Sequence, residues 1–199
     1  MASLARACID ASIAAYVKKS WSSDNCEALA VTLPGNIFGI AFRGTASLHD
    51  AVWDMRVIPW RHHTLGLVHT GFSDGVDAIW PAILASMPDK DMAIAFTGHS
   101  KGGAEATLCA ALAVERGYLV KHLITFGSPR VAASGKVLDI LARGGVNILR
   151  YVNRGDPVPR VPPWFFGYRH VGLAIEIGED WDIASDHPAI AYKQALRLQ

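Results

Sequence analysis

Cysteine is scarce in this chain: Cys8, Cys26 and Cys109 are the only three in 199 residues, an odd number with no Cys-x-x-Cys spacing. That excludes a disulfide framework and a zinc site of paired cysteines, and leaves only a single Cys8–Cys26 bridge open. Charge of one sign is also lacking. Lys and Arg total 19 against 18 Asp and Glu, a formal net charge of +1. No basic excess is available for a phosphate backbone, so nucleic acid is not expected as a partner. Charged residues make up 19% of the chain and hydrophobic residues 51%, with a mean hydropathy of +0.21, which excludes a polar, disordered scaffold. Long apolar runs are missing as well. Runs such as Val146–Leu149 and Met92–Phe96 fall far short of the roughly 20 residues that cross a bilayer, so no transmembrane segment is expected. Arg6 and Asp10 interrupt what would have to be the apolar part of an export signal. The expectation is a cytoplasmic protein, or one released by a route that needs no N-terminal signal peptide.

What is present is an alternation of patterns. Leu4–Lys18 has helical spacing, and Ala28–Leu33 and Ile37–Phe42 are apolar runs joined by Pro34-Gly35-Asn36, which suits a tight hairpin. Helix is then predicted over Gly71–Met87, Lys101–Arg116 and Ser134–Ala142, interleaved with strands over Met92–Thr97, Leu119–Phe126 and Val146–Val152. Tyr168–Ile177 alternates as a further strand, and His187–Leu198 closes the chain as a helix. Strands separated by helical crossovers predict the α/β class, a mostly parallel central sheet flanked by helices. No repeat or linker divides the chain, so residues 1–199 are expected to form a single domain.

Two stretches fit no regular element. Thr45–His69 is a long connection, and long connections in compact domains tend to be functional. Its adjacent His62 and His63 lack metal-ligand spacing and read as solvated loop residues, so neither a metal nor a cofactor is expected. Asn153–Phe166 contains Pro157, Pro159, Pro162 and Pro163, which exclude a helix just after a strand. Open α/β folds place their chemistry at such carboxyl strand ends.

The strongest local signal is Gly98-His99-Ser100-Lys101-Gly102-Gly103, between a strand pattern and an alanine-rich helix pattern. A strand-to-helix turn of this kind lifts a serine above the sheet in strained backbone geometry, with glycines where a Cβ would collide. Ser100 is the candidate nucleophile. A serine hydroxyl needs a base, and the base needs an orienting acid. His122, His170 and His187 follow the serine; position favours His187, in a turn opening the last helix, over His170, inside a strand pattern. Among Asp139, Asp156, Asp180, Asp182 and Asp186, Asp156 ends a strand and begins the proline-held loop, although Asp before Pro also suits an ordinary Asx turn. Negative charge on a substrate carbonyl would meet the backbone N–H of Lys101 and that of Thr45, where Phe42-Arg43-Gly44-Thr45 ends an early strand.

These residues resemble the class 3 (fungal-type) triacylglycerol lipases of the α/β-hydrolase fold. Phe42-Arg43-Gly44-Thr45 is similar to that family's oxyanion strand end, and Val68-His69-Thr70-Gly71-Phe72 to the block before its next helix. Thr97–Ala104 resembles its nucleophile turn, Thr125–Arg130 its Thr-Phe-Gly-x-Pro-Arg turn, and Asn153–Pro159 its acid loop. Tyr168–Gly172 resembles a structural Tyr-x-His-x-Gly block, which lowers His170 as the base, and Asp186-His187 with Tyr192 resembles the block carrying the catalytic histidine. The resemblance implies a serine lipase or esterase acting on lipid carboxylic esters, at a membrane or droplet surface. Ser100, Asp156 and His187 would form the triad, with Thr45 and Lys101 at the oxyanion. A phospholipase or acyltransferase on the same triad is the alternative, and a non-catalytic lipid-binding module is the more distant one. The resemblance also implies a lid over about 46–66, with a short helix at Leu48–Met55. Trp53 would cover or flank the cleft, and Trp60, Trp164, Phe165 and Phe166 would line the acyl site, meet lipid or serve as ordinary core. Lys101 stands where the family usually has an apolar residue, and its ammonium is expected to alter the pocket mouth or favour anionic substrates.

Overall fold

The computed structural model describes residues 2–45, 59–178 and 187–197. Within them the elements run α1 (Ala2–Ala14), β1 (Trp21–Ser22), β2 (Glu27–Leu33), β3 (Ile37–Phe42), β4 (Pro59–His62), β5 (Gly66–His69) and α2 (Thr70–Ala85). They continue with β6 (Ile94–His99), α3 (Lys101–Glu115), β7 (Val120–Phe126), α4 (Lys136–Arg143), β8 (Asn147–Asn153), β9 (Ala174–Ile177) and α5 (Ala189–Ala195). A seven-stranded sheet in the order β1-β2-β3-β6-β7-β8-β9 forms the centre. β1, β2 and β3 pair antiparallel, and every pairing from β3 to β9 is parallel. This is the α/β architecture the alternating patterns predict.

The sheet divides its side chains between two cores by the two-residue period of a strand. Ile40, Phe42, Ile94, Phe96 and Leu123 face the side covered by α2, α3 and α4, whereas Ala41, Ala95, Ile124 and Phe126 face α1 and α5. Helix α3 is buried almost throughout, from Gly102 to Ala113. Its alanines and glycines let the sheet and the outer helices approach closely on all sides. All three cysteines are free and buried. Cys8 and Cys26 belong to cores on opposite faces of the sheet, so they do not pair.

The structure departs from the sequence expectations in three places. Tyr168–Ile177 is not one strand: only Ala174–Ile177 pairs with β8, because Gly172 sits at φ 83° and Tyr168 turns into the interior instead. Half of the long connection is a hairpin, with β4 paired to β5. Residues 46–58, which include His49, Trp53 and the expected Leu48–Met55 helix, lie outside the described residues, as do Asp180, Asp182 and Asp186. His62 is no solvated loop residue. It is 5% exposed, its Nε2–H donates to Asp77 Oδ1 at 3.1 Å, and its Nδ1 accepts the Thr64 and Leu65 N–H groups, also at 3.1 Å.

Two other histidines anchor irregular segments. His69 is buried against Phe72, ring centroids 4.3 Å apart, and neither of its ring nitrogens has a hydrogen-bond partner among the described residues. Burial pushes its pKa down to about 4. His170 donates from Nε2 to the Pro159 carbonyl at 2.7 Å, and burial, followed by the neighbouring Arg150 charge, takes its pKa down to about 3. Both are therefore neutral when folded, and each titrates near 6.5 once unfolded. Between those values the unfolded chain binds more protons, so this contribution is complete above about pH 6.5 and is lost as the pH falls toward 4, at up to ~1.4 kcal/mol per pH unit per histidine. Thermal melts should show the midpoint falling steadily below pH 6.5. A midpoint unchanged between pH 7 and pH 5 would contradict the assignment of neutral, buried imidazoles.

Candidate active site

The parallel register aligns the carboxyl ends of four strands. Phe42 pairs with Gly98 and Gly98 with Thr125, while His99 pairs with Phe126 and Phe126 with Tyr151. The chain leaving β3 at Gly44, β6 at Ser100 and β8 at Asp156 therefore emerges along one edge. Ser100 has φ 56° and ψ −129°, a left-handed conformation that is costly for a residue with a side chain. Its N–H donates to the Phe126 carbonyl at 2.9 Å and its carbonyl accepts from Gly103 N–H at 2.9 Å, which clamps the strained residue on both sides. Two glycines make the turn possible. A Cβ on Gly98 would collide with the Gly102 carbonyl, and one on Gly102 would lie 2.7 Å from the Arg43 carbonyl. Helix α3 can start against β3 and β6 only with hydrogen at both positions.

The structure brings Ser100, His187 and Asp156 into one chain of hydrogen bonds. Ser100 Oγ lies 3.0 Å from His187 Nε2, and His187 Nδ1 lies 3.0 and 2.9 Å from the two Asp156 oxygens. All three residues are buried. With Asp156 accepting the Nδ1–H, the Nε2 lone pair faces the serine hydroxyl. The Val158 N–H donates to Asp156 Oδ1 at 2.8 Å, and the Tyr192 hydroxyl donates to Oδ2 at 2.6 Å while accepting the Asn153 N–H at 3.1 Å. The Asx-like bond to Val158 and the bond to His187 coexist, so the turn reading and the relay reading of Asp156 both describe the same residue. His170 is tied to Pro159 and takes no part.

A second relay, which the sequence did not reveal, holds the histidine's main chain. His99 Nε2–H donates to the His187 carbonyl at 2.6 Å, and the Tyr16 hydroxyl donates to His99 Nδ1 at 3.0 Å. Complete burial, then the neighbouring His187, lowers the His99 pKa to about 3. His99 thus stays neutral beside a ring that must be able to accept a proton. Tyr16 follows α1 in a stretch that reads as core helix, and His99 fills a variable position of the serine turn, so neither stood out.

Gly44 packs directly against the nucleophile: a Cβ there would lie 2.6 Å from the His99 carbonyl and 3.2 Å from Ser100 Cβ. This brings the strand end that carries Thr45 beside the serine. The N–H of Lys101 is the first of α3 and has no carbonyl within its own helix to bond. The Lys101 side chain is not a feature of the pocket mouth. Its Nζ lies 3.0 Å from Glu105 Oε1 and donates to the Asn25 carbonyl. Glu105 is wholly buried, and burial raises its pKa to about 7 against the pull of Lys101. The i, i+4 pair was a readable signal in an otherwise uncharged helix face. Trp60, Trp164 and Phe165 are 62%, 64% and 66% exposed, so they are not core. Among the described residues no group of three or more His, Cys, Asp and Glu side chains could hold a metal ion.

The Lys101–Glu105 pair supports the first turn of α3. Glu105→Gln leaves the ammonium without its buried counter-charge and should destabilise the protein by about 1–3 kcal/mol in urea unfolding. The double change Lys101→Met with Glu105→Met, which replaces both partners by packed apolar groups, should recover most of that loss. Single and double variants both matching the parent would contradict a structural role for the pair.

The family Lipase (class 3) matches residues 39–166, more than half of the chain. The lipase of Rhizomucor miehei is 30% identical over 168 residues, covering 77% of this chain and 46% of that protein. Secreted mono- and diacylglycerol lipase 1 of Fusarium solani is 38% identical over 108 residues, covering 52% of this chain and 32% of that protein. The chain thus spans less than half the length of these two curated relatives. The solved structure of the Rhizomucor miehei triacylglyceride lipase superposes with a TM-score of 0.71 at 28% identity, covering 82% of this chain and 66% of that one. Matched by that family over more than half of its length and 30% identical to one of its lipases over 77% of the chain, the chain belongs to the class 3 lipase family.

Proposed function

We propose that this protein hydrolyses carboxylic esters of lipids, acylglycerols or shorter acyl esters, through an acyl-enzyme on Ser100. The observation that carries the reading is the buried relay from Ser100 Oγ through His187 to Asp156, with contacts of 2.9 to 3.0 Å. Membership of a lipase family supports it independently.

In this reading His187 Nε2 takes the Ser100 proton as Oγ attacks the ester carbonyl carbon. Asp156 holds the ring in the required tautomer and stabilises the imidazolium. The carbonyl oxygen becomes an oxyanion facing the N–H groups of Thr45 and Lys101, at the start of a helix whose dipole favours negative charge. Collapse of the tetrahedral intermediate breaks the ester C–O bond, and His187 gives its proton to the departing alcohol. Water, deprotonated by His187, then attacks the acyl carbon and frees the carboxylic acid and Ser100. The Tyr192 hydroxyl and the Val158 N–H keep Asp156 aimed throughout, and the neutral His99 adds no positive charge beside the imidazolium.

Hydrolysis of p-nitrophenyl esters from acetate to palmitate, with phospholipid and acyl-acceptor alcohols as further substrates, tests the reading. Ser100→Ala should lower kcat roughly 10^4- to 10^6-fold, because the relay acts as a unit. Tyr192→Phe should lower kcat about tenfold with KM little changed, since it loosens Asp156 without touching substrate. A Ser100→Ala variant that kept a tenth of parental activity would overturn the assignment. Product esters formed from added alcohol, in place of free acid, would make the protein an acyltransferase.

A further inference from the structure

The loop after Asp156 carries a feature that the hydrolytic relay does not use. Trp164, Phe165 and Phe166 occupy a single 3-10 turn and are 64%, 66% and 52% exposed. Their rings pack on one another, with centroids 6.1 Å and 4.7 Å apart, and none belongs to either core. Pro163 precedes the turn and Gly167, at φ 89°, ends it. Scattered exposed hydrophobic residues are ordinary, but three consecutive aromatics held out by a short turn form a patch that solvent alone does not favour.

Among the described residues, the charged side chains fastened to this patch are both cations. Arg169 Nη1 donates to the Trp164 and Tyr168 carbonyls at 2.8 and 3.0 Å, and Arg130 Nη1 donates to the carbonyls of Pro162, at 2.9 Å, and Arg160. Both guanidinium groups are therefore fastened to the aromatic loop itself, and neither forms an ion pair with a described carboxylate. Residues 157–175 contain no Asp or Glu at all. His170, in the same segment, is neutral, and its neighbour Arg150 adds a further cation beneath the loop. In a chain with a net charge of only +1 this is a local concentration of positive charge around exposed aromatic surface.

We propose that the Trp164–Phe166 turn, with Arg130 and Arg169, is a docking wedge for an anionic lipid surface. Aromatic rings settle at the level of lipid headgroups, and arginines beside them bind anionic headgroups. The wedge is continuous with the site: Asp156 accepts the Val158 N–H at the start of the same loop, and Ser100 lies along the same sheet edge. Docking through it would press the mouth of the site onto the lipid. The proposal rests on the lipid-ester reading only for the reason to meet such a surface; the geometry stands without it.

Flotation with vesicles of ether-linked phosphatidylcholine, alone or with roughly a third of ether-linked phosphatidylglycerol, tests the wedge without hydrolysis of the probe. The parent protein should bind the anionic vesicles about tenfold more tightly than the neutral ones. Trp164→Ser with Phe165→Ser and Phe166→Ser should abolish binding to both while keeping the parental melting temperature. Arg130→Gln with Arg169→Gln should remove the preference for anionic lipid, whereas Arg130→Lys with Arg169→Lys should retain it. Equal binding to both vesicles, binding that survives loss of the aromatics, or a dimer that the aromatic variant dissolves in a protein that ignores vesicles, would each overturn the proposal. Hydrolysis of monomeric esters by a parent protein that binds neither vesicle would overturn the wedge and leave the proposed activity standing. Vesicle binding by a parent protein without esterase activity would support the wedge and overturn the activity.

Discussion

The close approach of helix α3 to strands β3 and β6 is the constraint on which the site depends. Ser100 can sit at φ 56° only because hydrogen atoms occupy the Cβ positions of Gly98 and Gly102, where main-chain carbonyls leave no room. The same approach carries Gly44 against Ser100 and leaves the first N–H of α3 beside the serine. Position of the nucleophile, position of the strand end after β3 and orientation of the helix dipole are thus consequences of one packing contact. The alanine-rich sequence of α3 extends that contact along its length.

Around this contact the polar groups hold one another through hydrogen bonds and an ion pair. Asp156 receives hydrogen bonds from a main-chain amide, a tyrosine and a histidine. His99, between Tyr16 and the His187 carbonyl, is neutral because burial penalises its charged form. Lys101 and Glu105 pair behind the turn. The exposed aromatic turn with its arginines is on the loop that Asp156 begins.

Much of this was legible in the sequence, for identifiable reasons. Parallel strands with helical crossovers have distinct hydrophobic periods, so β6, α3, β7 and β8 could be placed to within about two residues. The serine turn was visible because its glycines are dictated by sterics, and Asp156 and His187 because they follow strand or precede helix at the right edge. What was hidden depends on distance in space. His62 reads as a loop residue until Asp77 is seen beside it. Tyr16 is only one position of a helical pattern until the fold brings it to His99, 83 positions later. Lys101 was expected at the pocket mouth because the residue follows the nucleophile, whereas the fold turns its ammonium to Glu105, one helical turn on, and to the Asn25 carbonyl. Tyr168–Ile177 alternates like a strand, yet Gly172 and the burial of Tyr168 interrupt it, an effect of tertiary packing that local alternation does not encode.

The central claim is that Ser100 is a uniquely activated nucleophile. A fluorophosphonate ester, which phosphonylates such a serine with loss of fluoride, followed by intact-mass measurement and peptide mapping, tests it most directly. The account predicts one adduct per chain, on the peptide containing Ser100, and none in the Ser100→Ala variant. An adduct on another residue, or an unlabelled protein that is folded by its melting curve, would contradict it.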